Sequence, residues 1–158
     1  GRLTRIHSGV FAVGRANLDP LACWKAATLA GGSQAMLGHL HAGGLWEVWV
    51  RPAGMPHIVI PGHGRRGHRG VVVHRMRRFH PDDRAVVKGI PVTSLPLTAL
   101  HLAGILSRPS FERVLVKAAR RSEFNLVDAI ALADRSQGRP GVRVFRQVIA
   151  RDLTAELR

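Results

Sequence analysis

The chain has 158 residues, 46% of them apolar, which suffices for one globular core of domain size. No run approaches the roughly 18 apolar residues of a membrane span, and the lone Cys23 excludes an internal disulfide framework and a thiolate zinc cluster. Lys plus Arg number 24 against 10 Asp plus Glu, a net charge of +14, so the expected partner is a polyanion.

The predicted elements follow in chain order. Arg2–Ile6 and Val10–Val13 flank His7-Ser8-Gly9 and read as two strands around a tight turn. Pro20 opens a helix that runs to Ala30 and stops at Gly31-Gly32. Ser33 is the expected N-cap of a second helix reaching about Leu45. The short runs Val48–Val50, Ile58–Ile60 and Val71–Val73 are bounded by Pro or Gly and read as strands. Residues 57–60 and 70–75 are expected as adjacent antiparallel strands joined by the Gly/Arg-rich loop 61–70. Gly89–Ser94 is a further extended piece, held open by Pro91.

The second half reads as helical. Pro96–Leu106 is apolar almost all round, the pattern of a buried helix. Ser110 is expected to cap a helix whose apolar stripe is Phe111, Val114, Leu115, Ala118 and Ala119. Asn125 caps Leu126–Arg135, and Val142, Phe145, Val148, Ile149 and Leu153 mark a last amphipathic helix. The fold class expected is α+β: a small β-wing hairpin, an antiparallel sheet with helices, then a helical C-terminal half.

The charge is unevenly laid out. Residues 1–18 carry Arg2, Arg5 and Arg15 with no acid. Residues 48–81 carry Arg51, Arg65, Arg66, Arg69, Arg75, Arg77 and Arg78 with five histidines and again no acid. After Asp82 the signs interleave as on an ordinary solvated surface. The candidate nucleic-acid-binding residues are therefore Arg2, Arg5, Arg65, Arg66, Arg69, Arg75, Arg77 and Arg78. In the loop His63-Gly64-Arg65-Arg66-Gly67-His68-Arg69, glycines permit close backbone approach and guanidinium forks match phosphate oxygens, although no Gly-Lys-Ser/Thr makes it a P-loop.

Catalytic signatures are absent. Asp82-Asp83 has no Glu-x-Lys partner for a metal-dependent nuclease and reads as a turn. His39 and His41, two apart, would lie about 200° apart on a helix and could not share an ion. His63, His68 and His74 would converge only through loop folding, with no nearby carboxylate or thiolate. The expectation is no metal, no cofactor and no enzymatic activity, with the nine histidines adding positive charge below about pH 6.5. Residues 111–136 have helix–turn–helix order, but Asp128 and Asp134 on the second helix would face phosphates, so an ordinary helical hairpin is expected.

Four segments together resemble the abortive-infection AbiEi-like antitoxin family, especially its actinobacterial branch: RLTRIHSGVFAVG (Arg2–Gly14), AMLGHLHAGGLW (Ala35–Trp46), GIPVTSLPLTALHLA (Gly89–Ala103) and GRPG (Gly138–Gly141). The resemblance spans nearly the whole chain, and order and spacing carry more of it than any one segment. Departures are Leu97 and His101, where the family usually has Arg and Asp, and Gly38, where it has Ser. It implies a wing remnant of a winged-helix domain at 1–14 and an antitoxin-type α+β domain at 15–158. Gly1 would stand where a helix-turn-helix ends, and the chain would stop before the restriction-endonuclease-like domain that many relatives carry. The function implied is a cytoplasmic DNA-binding module of the type IV antitoxin and repressor kind. Its partners would be duplex DNA and a cognate toxin protein. The alternatives are an accessory DNA-binding domain of an endonuclease and a toxin-neutralising interaction domain.

Overall fold

The computed structural model describes residues 3–7, 10–13, 19–62, 67 and 69–156. Strands β1 (Leu3–His7) and β2 (Val10–Val13) pair antiparallel as a separate hairpin, with an irregular register between Arg5 and His7. Helix α1 (Pro20–Ala30) begins as its residues dictate: the Asp19 side chain accepts the Ala22 amide at 2.8 Å, and Pro20 gives up an N–H that a first turn does not use.

The next segment departs from the expected helix. Residues 33–45 split into a short strand β3 (Met36–Leu37) and a seven-residue helix α2 (His39–Leu45) capped by Gly38, so Ser33 caps nothing. The cause is tertiary. Met36 and Leu37 are fully buried between two strands, and a Cβ on Gly38 would lie 2.4 Å from Val59 Cγ2. Val48–Val50 is no strand either. It turns back on α2, with the Val48 amide donating to the Gly43 carbonyl.

The main sheet has the order β5-β4-β3-β7-β6, formed with β4 (His57–Pro61), β5 (Val72–Met76), β6 (Arg84–Val87) and β7 (Ile90–Thr93). It is mixed rather than antiparallel. β3 runs antiparallel to β4 and parallel to β7, and β6 and β7 form an antiparallel hairpin. The strands expected at 57–60 and 70–75 are adjacent, but they are parallel, with His57 beside Val72 and Pro61 beside Met76. A parallel partner requires the chain to return to the start of β4, about 17 Å for five residues. Residues 62–71 can span roughly 33 Å, and Gly62 and Gly70, both at positive φ, turn the chain at either end. Two β-branched runs separated by glycines suggested a hairpin. The connection is long enough to permit the parallel return.

Four helices follow: α3 (Leu95–Ala103), α4 (Arg108–Ala119), α5 (Leu126–Arg135) and α6 (Val142–Glu156). The architecture is α+β, a mixed five-strand sheet with helices followed by a helical C-terminal half. Ser107, not Ser110, caps α4, its hydroxyl accepting the Ser110 amide. Asn125 caps α5 as its sequence demands. Leu97, Leu100, Phe111, Leu115, Leu132 and Phe145 form a continuous core beneath one face of the sheet, while Ala27, Ala35, Ile58, Ile60 and Val71 fill the other. Asp82-Asp83 lies in a single 3-10 turn (Pro81–Asp83). Asp83 is buried there, accepting the His80 amide and Arg135 Nη2, each at 2.9 Å, so it ties α5 to the sheet. Among the described residues no helix is long and apolar enough to cross a membrane.

Candidate nucleic-acid interface and histidine cleft

The alternation of strand side chains builds the site. In the parallel register Val59 lies beside His74, so His57 and Val59 share a sheet face with His74 and Met76. Helix α3 packs on that face and brings His101, and α2 enters it with His39 and His41. Five of the nine histidines thereby meet. His39 stacks on His74 with ring centroids 3.7 Å apart and on His101 at 4.8 Å. His41 stacks on His57 at 5.3 Å and stands edge-on to Trp24. His57 Nδ1 and His74 Nε2 are 2.8 Å apart and share one proton, which requires one ring to donate and the other to accept. His39 has φ 55°, a left-handed backbone that a side chain this size rarely takes.

These rings are held neutral. Burial, followed by the neighbouring His101, His74 and His57, lowers the His39 pKa from 6.5 to about 3. Burial and His57 lower His41 to about 4. Burial, then Arg139 and His74, lower His101 to about 4. His57 and His74 are lowered chiefly by burial as well. The expected gain of histidine charge below about pH 6.5 is therefore wrong for these five: a stacked, enclosed imidazole cannot charge without losing its partners. Among the described residues no group of three or more His, Cys, Asp or Glu is placed to hold a metal ion. Stacked rings direct their lone pairs outward within each ring plane, not toward a common point.

The cluster floors a cleft of about 570 Å³ lined by His39, His74 and His101, with apolar Val59, Met76, Ile105 and Pro140 and the cationic Arg75, Arg77 and Arg139. A second cleft, about 470 Å³, adjoins it and shares Arg77 and Arg139, adding Arg78, Phe79 and the Asp83–Arg135 pair. Arg139 is delivered by a tight loop. A Cβ on Gly141 would lie 2.4 Å from the Gly104 amide nitrogen, so only glycine lets the loop dock on the end of α3.

Of the sequence-selected arginines, Arg75, Arg77 and Arg78 are exposed where β5 leaves the sheet, and the two clefts bring them together. Arg5 is exposed on β1, and Arg69 is exposed in the turn before β5, where its carbonyl accepts from His7 Nδ1 at 3.2 Å. Arg2, Arg65 and Arg66 lie outside the described residues, as do His63 and His68. Sequence reasoning missed Arg139 as a cleft residue and the histidine cluster as a unit. The signal for the latter was His101, a lone imidazole in an otherwise apolar buried helix. No protein-family model matches the chain, and no curated protein matches it either.

Proposed function

We propose that the chain is a DNA-binding regulatory module, similar in role to the cytoplasmic type IV antitoxins that its motifs resemble, and without a catalytic step of its own. Residues 1–14 would take the part of the wing and residues 15–158 that of the antitoxin-type domain, leaving a second surface for a cognate toxin. The observation that carries the reading is the convergence of Arg77, Arg78 and Arg139 across two adjoining clefts. Among the described residues none of the three pairs with a carboxylate; Asp83, the acid beside them, is taken by Arg135. Guanidinium groups gathered on adjoining clefts without a carboxylate partner offer the charge and fork geometry that phosphate oxygens accept.

The test is the salt dependence of duplex DNA binding. Each neutralised phosphate contributes about −0.9 to the slope of log K against log salt. Changing Arg77, Arg78 and Arg139 together to Ala flattens the slope by roughly 2–3 units. Changing Arg113, Lys117 and Arg120 on the exposed side of α4 leaves it nearly unchanged. Equal losses in both triple variants would mean that the charge acts diffusely, and would overturn a localised interface.

A further inference from the structure

The larger cleft has features that a phosphate-tracking surface does not need. At about 570 Å³ it falls in the size range of small-ligand sites. Its floor is made of flat neutral rings, its sides of Val59, Met76, Ile105 and Pro140, and its rim of Arg77 and Arg139. His101 Nδ1 is buried with no hydrogen-bond partner among the described residues. An unpaired lone pair is tolerated inside a protein more readily than an unpaired N–H, which places the ring proton on Nε2. Nε2–H is then the donor that this ring can offer a ligand. His39 lines the same cleft, entering it from the first residue of α2 at a left-handed φ of 55°.

A ligand matching this set has a flat ring to lie along the apolar walls and the imidazole edges, ring heteroatoms to accept from Nε2–H, and an anion to meet two guanidinium groups. We propose that the cleft binds one nucleoside phosphate unit, its base against His39, His101 and Ile105 and its phosphate on Arg77 and Arg139. The unit can come from two sources with the same chemistry, a free nucleotide or an unstacked nucleotide of a bound strand. The second source rests on the DNA-binding reading; the first does not. His39 is already stacked on His74 and His101, so the base meets imidazole edges and the apolar walls rather than a free His39 face.

The experiment compares three probes on the whole chain: nucleoside 5′-monophosphates, a fully paired duplex, and the same duplex with a single-nucleotide bulge. Each is measured with wild type and with Ile105→Trp, which fills the cleft from an exposed position without removing a cation. If the strand supplies the unit, the bulged duplex binds about tenfold tighter than the paired one. Ile105→Trp then erases that preference and leaves paired-duplex affinity and salt slope intact. If the unit is free, monophosphates bind saturably, shift the imidazole ¹⁵N signals of His39 and His101, and lose both effects in Ile105→Trp. The proposal is overturned if neither occurs, or if inorganic phosphate binds as well as the monophosphates, since the ring walls would then take no part. Paired-duplex binding that survives such a failure keeps the DNA-binding reading. Monophosphate binding without any duplex binding overturns that reading alone.

Discussion

Lowering the pH from 7 to 5 is the perturbation that the histidine cluster makes most consequential. In the unfolded chain an imidazole takes up a proton near pH 6.5. In the folded chain His39 does so only at about 3, and His41 and His101 only at about 4. Across that window the unfolded state binds more protons, so stability is fully present above pH 6.5 and falls as the pH drops toward 4. One unit of pH costs about 1.4 kcal/mol for each such group. At pH 5 each of the three has lost about 2 kcal/mol, and His57 and His74, lowered as well, act in the same direction. The groups facing the cluster do not offset this: Arg139 opposes a charged His101, and although Asp83 favours that charge and the Gly54 backbone favours one on His41, burial outweighs both. Glu123, held low first by its own backbone amide, keeps its contribution throughout this window and loses it only below its ordinary 4.5. A loss near 6 kcal/mol is comparable to the whole stability of a typical domain.

Urea unfolding followed by tryptophan fluorescence suits the measurement, since Trp24 and Trp46 are both buried. The midpoint falls steeply between pH 6.5 and 5 at constant m-value, and the native state is largely lost near pH 5. His101→Met, close in volume and without a titrating group, recovers about 2 kcal/mol of the difference between pH 7 and pH 5. Stability that stays flat from pH 7 to pH 5 would refute the reasoning, because it would mean that the five rings titrate as exposed histidines do.

Other expected outcomes rest on packing and pairing. Gly141→Ala combines a positive φ with a backbone collision at Gly104 and destabilises by about 3 kcal/mol or more, whereas Gly138→Ala, at a similar φ in open space, costs about 1 kcal/mol; thermal unfolding separates the two. Arg135→Ala leaves the Asp83 carboxylate buried with one hydrogen bond and costs about 3 kcal/mol in urea unfolding at pH 7. Among the arginine variants, Arg77→Ala and Arg78→Ala change the urea midpoint little, since neither side chain pairs within the described residues, so a loss of DNA affinity in them reads on binding rather than folding.

The helical half of the fold was legible because each helix carries its own local instructions. Asn125 caps α5, Pro20 opens α1, and Phe111, Val114, Leu115 and Ala118 of the expected stripe face the core, while Ala119, its last member, is exposed. The sheet was less legible. β3 is only two residues long, too short for any periodicity, and is a strand only because β4 and β7 hold it on either side. β6, Arg84–Val87, has alternating exposure on an edge but begins directly after the 3-10 turn, which hid its start. The orientation of β5 was not legible, because residues 62–71 are long enough to close an antiparallel hairpin or to return for a parallel strand. The arginine run after β5 could be read directly, since charge is local. Its fourth member in space, Arg139, could not, because it arrives from a loop more than sixty positions away.

The histidine cluster shows the same limit from the other side. Spacing along one helix correctly separates His39 from His41, yet the rings meet partners from other elements: His74 and His101 for the first, His57 for the second. The contacts follow from strand parity once the parallel register is known, and the register is what the sequence conceals. The chemical consequence depends on it as well. The observed register brings the His57 and His74 nitrogens to 2.8 Å and places His57 beside His39. Imidazoles that would have added to a basic surface become the neutral floor of a cleft, and the positive potential at its rim is left to the arginines, whose charge does not change with pH.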